Sequence, residues 1–332
     1  VSSTHFDSDS TAGVALDAEH AALTRRAGFR LLDDRMIVRV TGDDRVSFFH
    51  GMCSADVKGA HPGDVVPALF LTEHAHLIGD FFIWFEENAL TLETELSAWP
   101  REKAHLEKLL VADDVEMEDL HPLRVLHIEG PRAADALAAA GISGTHALKP
   151  WHCAKSVDAI LGRVPRFGGD AFSLLGDSAV LREVAGRLAG GGAVAVGAAA
   201  LEVLRVEQGI AKVGLDASDK TIALEARLER SISFNKGCYL GQETIERATA
   251  RGGLKKKMLG LRFEEPVTAG SALFLDGKEV GRVTSSVLSP RLGAIGLAIL
   301  HRNAWAPGTS LVARGATGGD IKGIVNELPF DK

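Results

Sequence analysis

The last quarter of the chain constrains the fold most. After Gly253 the helical spacing of apolar residues stops, and short apolar stretches alternate with Gly and Pro turns. Residues 259–263, 272–275, 280–287, 295–300, 310–313 and 321–326 each have the length and alternation of a strand. Asp276-Gly277 lies between two of them, and this dipeptide suits a tight hairpin because its turn needs positive φ. Residues 254–332 are therefore expected to form a small antiparallel β-barrel.

Upstream the pattern mixes strands with helices. Residues 31–40 read as a strand with an acidic turn at Asp33-Asp34, and residues 45–53 as a short amphipathic helix carrying Val46, Phe49 and Met52 on one side. Residues 70–77, 79–86 and 89–95 read as consecutive strands. Residues 99–110 are helical by the spacing of Leu106, Leu109 and Leu110. A similar order begins at Leu123: a strand at 125–128, a helix at 132–140 entered through Gly130-Pro131, a strand at 171–175 and a helix at 178–188. Gly190-Gly191-Gly192 breaks the chain before a helix at 198–209, with Leu201 and Leu204 on its inner side. The fold class predicted is α+β. Residues 19–253 form two layered, ferredoxin-like subdomains, about 19–122 and 123–253, ahead of the barrel. Residues 1–18 are expected to be a mobile N-terminal segment.

Composition narrows the function classes. Lys plus Arg is 37 and Asp plus Glu is 44, a formal charge of −7. A mildly acidic chain is a poor candidate for direct nucleic-acid binding. The basic run Lys255-Lys256-Lys257 reads as a solvated strand entry. Cys53, Cys153 and Cys238 are odd in number and widely spaced, which fits a reducing compartment rather than a disulfide framework. No apolar run is long enough to span a bilayer, and the first residues lack a secretory pattern, so a cytoplasmic location is expected. His74 and His76 share one strand face, but two ligands do not make a metal site, and none is expected. Gly190-Gly191-Gly192 lacks the Gly-Lys-Ser/Thr of a phosphate loop.

The segment most informative about chemistry is Lys236-Gly237-Cys238-Tyr239-Leu240-Gly241-Gln242-Glu243. It stands just before a helix expected at 242–248, where Glu243 and Arg247 pair at four-residue spacing. Exposed N–H groups at a helix start favour a thiolate, and Lys236 adds positive charge. The plainer reading makes Cys238 a small buried hydrophobe.

This segment resembles the signature of the YgfZ-type folate-binding proteins, relatives of the glycine-cleavage T-protein. Other pieces agree in order along most of the chain. Gly42 to Gly51 is similar to the family's early helix motif, with Ser54 and Asp56 near its usual Thr and Asp. Leu204-Arg205-Val206-Glu207-Gln208-Gly209 is similar to an Arg-x-Glu-x-Gly helix. Gly281 to Ser286 with Ser289-Pro290 resembles the T-protein barrel motif. The resemblance implies a T-protein-like arrangement around a central folate cavity that takes tetrahydrofolate or a one-carbon derivative. By this resemblance Glu207 holds the pterin ring, and Lys236 stands near a folate-binding arginine. Asp80 stands near the catalytic aspartate, although Gly79 replaces the acid usually before it. Arg163 and Phe167 line the cavity, although the Tyr and one Gly of their segment are missing. Tyr239 is placed beside the cofactor with its motif.

Two functions compete on this basis. In the first, the chain binds folate and assists iron–sulfur cluster assembly or repair, and through it tRNA modification. Cys238 then serves as nucleophile, ligand or redox thiol, and iron–sulfur client proteins are the partners. One thiol alone does not hold a cluster, so a partner contributes ligands. In the second, the chain is a folate-dependent aminomethyltransferase or one-carbon demethylase. That chemistry needs a carboxylate beside the bound amine, and Asp80 is the candidate. The Cys238 motif favours the first. A folate-binding scaffold without chemistry, in which Cys238 merely packs, is the third and plainest reading.

Overall fold

The computed structural model describes residues 8–156, 158–250, 253–315 and 319–330. Two α+β layers pack face to face, and a closed barrel follows. The first sheet is antiparallel, with Val65–Leu71, Leu77–Phe85, Leu90–Glu95, Arg35–Thr41 and Glu116–Asp119 side by side. Helices Arg45–Met52 and Trp99–Leu109 cover one face, where Phe49, Phe70, Phe81, Trp99 and Leu106 are buried. The second sheet runs Val194–Ala195, Gly28–Leu32, Leu123–Glu129, Ala171–Asp177, Ala159–Arg163, His152–Ser156. Helices Ala133–Ala139 and Ser178–Gly190 cover its outer face through Leu137, Leu181, Val184 and Leu188.

The inner faces of the two sheets share a core of Ile37, Val65, Phe82, Trp84, Val125, Leu175 and the helix residues Leu201 and Leu204. Burying both faces in this way explains why residues 77–85 read as a continuous apolar run rather than an alternating one. The expected single strand at 31–40 is two strands. The chain crosses at Asp33-Asp34, so Gly28–Leu32 joins the second sheet and Arg35–Thr41 the first. Residues before 33 therefore belong with the second layer, and the expected 19–122 subdomain is not one continuous unit.

The predicted barrel is present. Lys256–Phe263, Gly293–His301, Lys278–Ser289, Ala272–Leu275, Ser310–Arg314 and Asp320–Asn326 close on themselves. Leu259, Leu261, Leu273, Val283, Leu300, Leu311 and Val325 fill its interior. Helix Ser8–Arg25 occupies much of the segment expected to be mobile. Residues 1–7 of that expectation lie outside the described residues. The helix is held because Leu23 is buried against the inner core and His20 is buried against Glu207.

Candidate functional site

Two cavities lie against helix Ala198–Glu207, on different sides of it. The inner one, about 230 Å³, sits between the two sheets. Strand Leu77–Phe85 brings Asp80 to it, strand Arg35–Thr41 brings Arg35, and the turn after strand Ala159–Arg163 brings Arg166 and Phe167. Leu201, Glu202 and Arg205 from the helix, and Lys212 and Arg230 from the segment after it, complete the polar and apolar wall.

Its electrostatics are organised around Glu93, which is fully buried. Arg166 donates to Glu93 Oε1 at 2.6 Å and Arg35 Nε to the same oxygen at 3.1 Å. Burial alone would raise the Glu93 pKa, but the two guanidiniums outweigh it and hold it low. The Arg166 guanidinium also lies 4.8 Å over the Phe82 ring, and its Nε is buried without a partner. Burial pushes the Asp80 carboxyl up, and Glu95 adds to this, while Arg35, Arg230 and Arg166 oppose it. A half-buried carboxyl with raised proton affinity in a cleft is the arrangement expected of a proton acceptor at work.

The outer cavity, about 850 Å³, lies between helix Ser8–Arg25, the end of helix Ala198–Glu207 and the barrel turn at Pro290-Arg291. Glu207 lines it, but the carboxylate is committed within the protein. His20 Nε2 is 3.1 Å away, Ser289 Oγ donates to Oε1, and Arg291 donates to Oε2 at 3.1 Å. Burial would raise its pKa, and these bonds outweigh that and lower it. Glu207 thus joins the first helix to the barrel, and the pterin-holding geometry expected of it is not what the structure places there.

Lys236 is likewise committed. Its Nζ donates to the carbonyls of His50, Cys53 and Ala55, the latter two at 2.8 Å, and lies 4.9 Å over the Tyr239 ring. Three N–H donors meet three acceptors, so none is left for a ligand. Arg163 is spent on Asp170 and the Leu148 carbonyl. The arginine that enters the inner cavity is Arg166, three residues on in the same segment; the arginine was expected there, but its position was not.

Lys236, Cys238 and Tyr239 line neither cavity. The expected meeting of Cys238 and Glu207 at one cavity does not occur. Cys238 is exposed, whereas burial pushes the Cys53 and Cys153 thiols up to about 11 and 12. Tyr239 is buried in the core, and burial raises its hydroxyl to about 12. Phe167 lines both cavities, edge-on to His127 at 5.5 Å. His74 and His76 rings are 6.3 Å apart, and among the described residues no three His, Cys, Asp or Glu side chains gather as a metal site.

Sequence reasoning missed Arg35, Glu93 and Arg230, because nothing local distinguishes a charged strand residue that faces an interlayer cavity from one that faces water. Strand Leu90–Glu95 reads Leu-Thr-Leu-Glu-Thr-Glu, so Glu93 stands out no more than its polar neighbours.

The GCVT N-terminal domain family model matches residues 3–236, and the glycine cleavage T-protein C-terminal barrel domain matches residues 256–332. The chain is 31% identical over 301 residues to "Putative transferase At1g60990, chloroplastic" of Arabidopsis thaliana, covering 88% of this chain and 68% of that one. It is 28% identical over 289 residues to an aminomethyltransferase of Nostoc sp., covering 83% and 77%. The crystal structure of glycine cleavage system aminomethyltransferase T from Bartonella henselae superposes with a TM-score of 0.88 at 25% identity, over 95% of this chain and 89% of that one. With both family domains matched in order and the fold shared along nearly its whole length, the chain belongs to the glycine-cleavage T-protein (aminomethyltransferase-like) family.

Proposed function

We propose that the chain is a folate-dependent one-carbon transferase of the aminomethyltransferase kind, acting in the inner cavity. The observation that carries this reading is Asp80, a half-buried carboxyl of raised proton affinity on the cavity wall, set among Arg35, Arg166 and Arg230. Relatives named aminomethyltransferase support it.

The residues present fit a reduced folate. A pterin is flat, with apolar faces and a polar edge. Leu32, Pro67, Phe82, Phe167 and Leu201 supply apolar surface, and Asp80 and the unpartnered Arg166 Nε supply polar partners. At about 230 Å³ the cavity is smaller than the roughly 300–1,000 Å³ of sites that enclose a whole ligand. It therefore takes the ring end of the molecule. The carboxylate tail lies in the adjoining groove, where Arg101 and Lys212 offer positive charge. When bound, tetrahydrofolate supplies the nitrogen that accepts the one-carbon unit. The protein's part is to orient the donor amine and take up its proton. Asp80 does this at its carboxylate, and burial makes it a stronger base than an exposed aspartate. Arg35 and Arg166, fixed by Glu93, keep that carboxylate from being lost to permanent protonation.

Tetrahydrofolate titrated into the protein is expected to change tryptophan emission, since Trp151 lies 6.0 Å from the cavity residue Phe82. Asp80→Asn is expected to keep folate affinity within a few-fold and to lose roughly 100-fold or more in one-carbon transfer. No binding to the unmutated protein, or full turnover by Asp80→Asn, refutes the proposal.

A second reading is a folate-binding protein of the YgfZ type that assists iron–sulfur cluster maintenance. One observation favours it. In the motif around Cys238, Lys236 fastens the loop, Tyr239 packs, and Gly241 permits close approach to Thr72. Cys238, between Lys236 and Tyr239, is exposed and joins none of the core clusters. The named relatives support the transferase reading better, because none is named for cluster assembly. Loss of iron–sulfur enzyme rescue by Cys238→Ala, with folate binding and stability intact, would reverse that order.

A further inference from the structure

Directly behind Asp80 lies a carboxyl that the proposed chemistry does not use. Glu102, on helix Trp99–Leu109, is fully buried. Its Oε1 lies 1.7 Å from where a Cβ on Gly79 would stand, so the carboxyl occupies the space of that missing side chain. Neighbouring strand residues point to opposite faces, so Glu102 sits across the strand from the Asp80 side chain. Thr94 Oγ1 is 3.0 Å from Glu102 Oε1 and 3.3 Å from the Asp80 carbonyl oxygen.

A hydroxyl has one proton to give. If Glu102 were ionised, Thr94 could satisfy only one of these two oxygens. If Glu102 is the neutral acid, it donates to Thr94, Thr94 donates to the Asp80 carbonyl, and both contacts are hydrogen bonds. The other oxygen, Oε2, is buried with no partner. That is costly for a carboxylate and much less so for the carbonyl of an acid. The charges facing it are divided, and burial decides. Asp80 across the strand opposes a second negative charge, while Arg35 on the next strand but one and Arg101 beside it on the helix favour one; burial outweighs both arginines. His105, one turn along, is pushed down by burial and Lys108 and adds no positive charge at neutral pH.

We infer that Glu102 is a positioning residue for Asp80: as the neutral acid it anchors the Asp80 peptide through Thr94 and keeps a second negative charge from forming behind the cavity. Burial, reinforced by Asp80, lifts its carboxyl to about 8, so the arrangement holds at neutral pH and is lost in alkali. The structural half of this inference stands alone. The functional half rests on the proposed role of Asp80.

Infrared spectroscopy of the full chain tests the first half without a ligand. The expected result is a protonated-carboxyl band at neutral pH that titrates away near pH 8 and is absent from Glu102→Gln. No such band in the unmutated protein overturns the inference, and that measurement needs no variant to fold. The second half is read from the pH profile of tetrahydrofolate-dependent turnover. An alkaline inflection near pH 8 in the unmutated protein should disappear in Glu102→Gln, with turnover at neutral pH kept within about three-fold. An inflection that persists in the variant overturns the positioning role. If the band titrates as expected but tetrahydrofolate does not bind, the folate reading fails and the neutral acid stands.

Discussion

Two buried glutamates with opposite proton affinities show how partners rather than burial decide charge. Glu207 and Glu102 are both fully buried. Glu207 meets His20, Ser289 and Arg291, and its pKa is lowered; Glu102 meets one hydroxyl and is raised to about 8. Their contributions to stability therefore run in opposite directions with pH. Glu207, depressed on folding, adds stability above its unfolded value of 4.5 that is lost as pH falls through its folded value. Glu102, raised on folding, adds stability that is complete below 4.5 and is lost as pH rises to about 8. Relative to the unmutated protein, Glu102→Gln is expected to gain stability steadily between those two values and then level off, by a few kcal/mol in all. Urea unfolding at a series of pH values measures this, and a difference independent of pH would refute it. Glu207→Ala leaves the buried His20 and Ser289 without their acceptor and is expected to cost roughly 1–3 kcal/mol. If it instead weakens folate binding and leaves the unfolding midpoint unchanged, the carboxylate belongs to the ligand and not to the frame.

At the scale of elements, the loop 235–241 separates fold from chemistry. Gly241 has φ +88°, and a Cβ there would stand 2.7 Å from the Thr72 carbonyl oxygen. Gly241→Ala is expected to cost at least about 2 kcal/mol, from backbone strain and displacement of the Thr72–Ala75 turn. Cys238→Ala, on the same loop but exposed, should stay within about 0.5 kcal/mol. Chemical denaturation of the two variants side by side tests the contrast. This loop also shows what was legible in the sequence. Elements with internal periodicity were readable: the barrel strands, the helices at 99–109, 178–190 and 198–207, and the turn at Asp33-Asp34. The hand-over of the chain between sheets at that turn was not, because a strand carries no local mark of which sheet it joins. The same limit applied to the site. Asp80 and Phe167 reach the inner cavity, but Arg163 does not and Arg166 does. Which arginine of one segment turns inward is decided by Glu93, a strand residue some seventy positions away.

The whole molecule is joined by a buried polar network that also shapes the inner cavity. Arg205 donates to Glu202, to Asp216 at 2.6 Å and to Ser285 on the barrel, while Asp216 accepts from Ser285, Thr284 and the Lys212 backbone. Beside it Leu328 packs where Gly209, at φ +66°, has no side chain. Arg205 is at once cavity wall and barrel contact, and the cavity residues Glu202 and Lys212 join the same network through Arg205 and Asp216. Seating the barrel and shaping the wall of the inner cavity are thus coupled through Arg205. Asp216→Ala removes the acceptor common to both parts and leaves Glu202 as the remaining carboxylate partner of Arg205, at a cost of roughly 1.5–3 kcal/mol. The barrel has its own apolar interior, so that loss is expected to uncouple it rather than unfold it. Calorimetry should then resolve two transitions, where tight docking gives one. Hydrogen exchange should rise first at Thr284 and Ser285 and along residues 210–216, while Leu259 and Leu300 stay protected. Tetrahydrofolate affinity should fall with the docking, because Lys212 and Arg205 no longer hold their side of the cavity. A variant that still unfolds in one step and binds as before would show that apolar contact through Leu328 and Phe330 seats the barrel without the polar network.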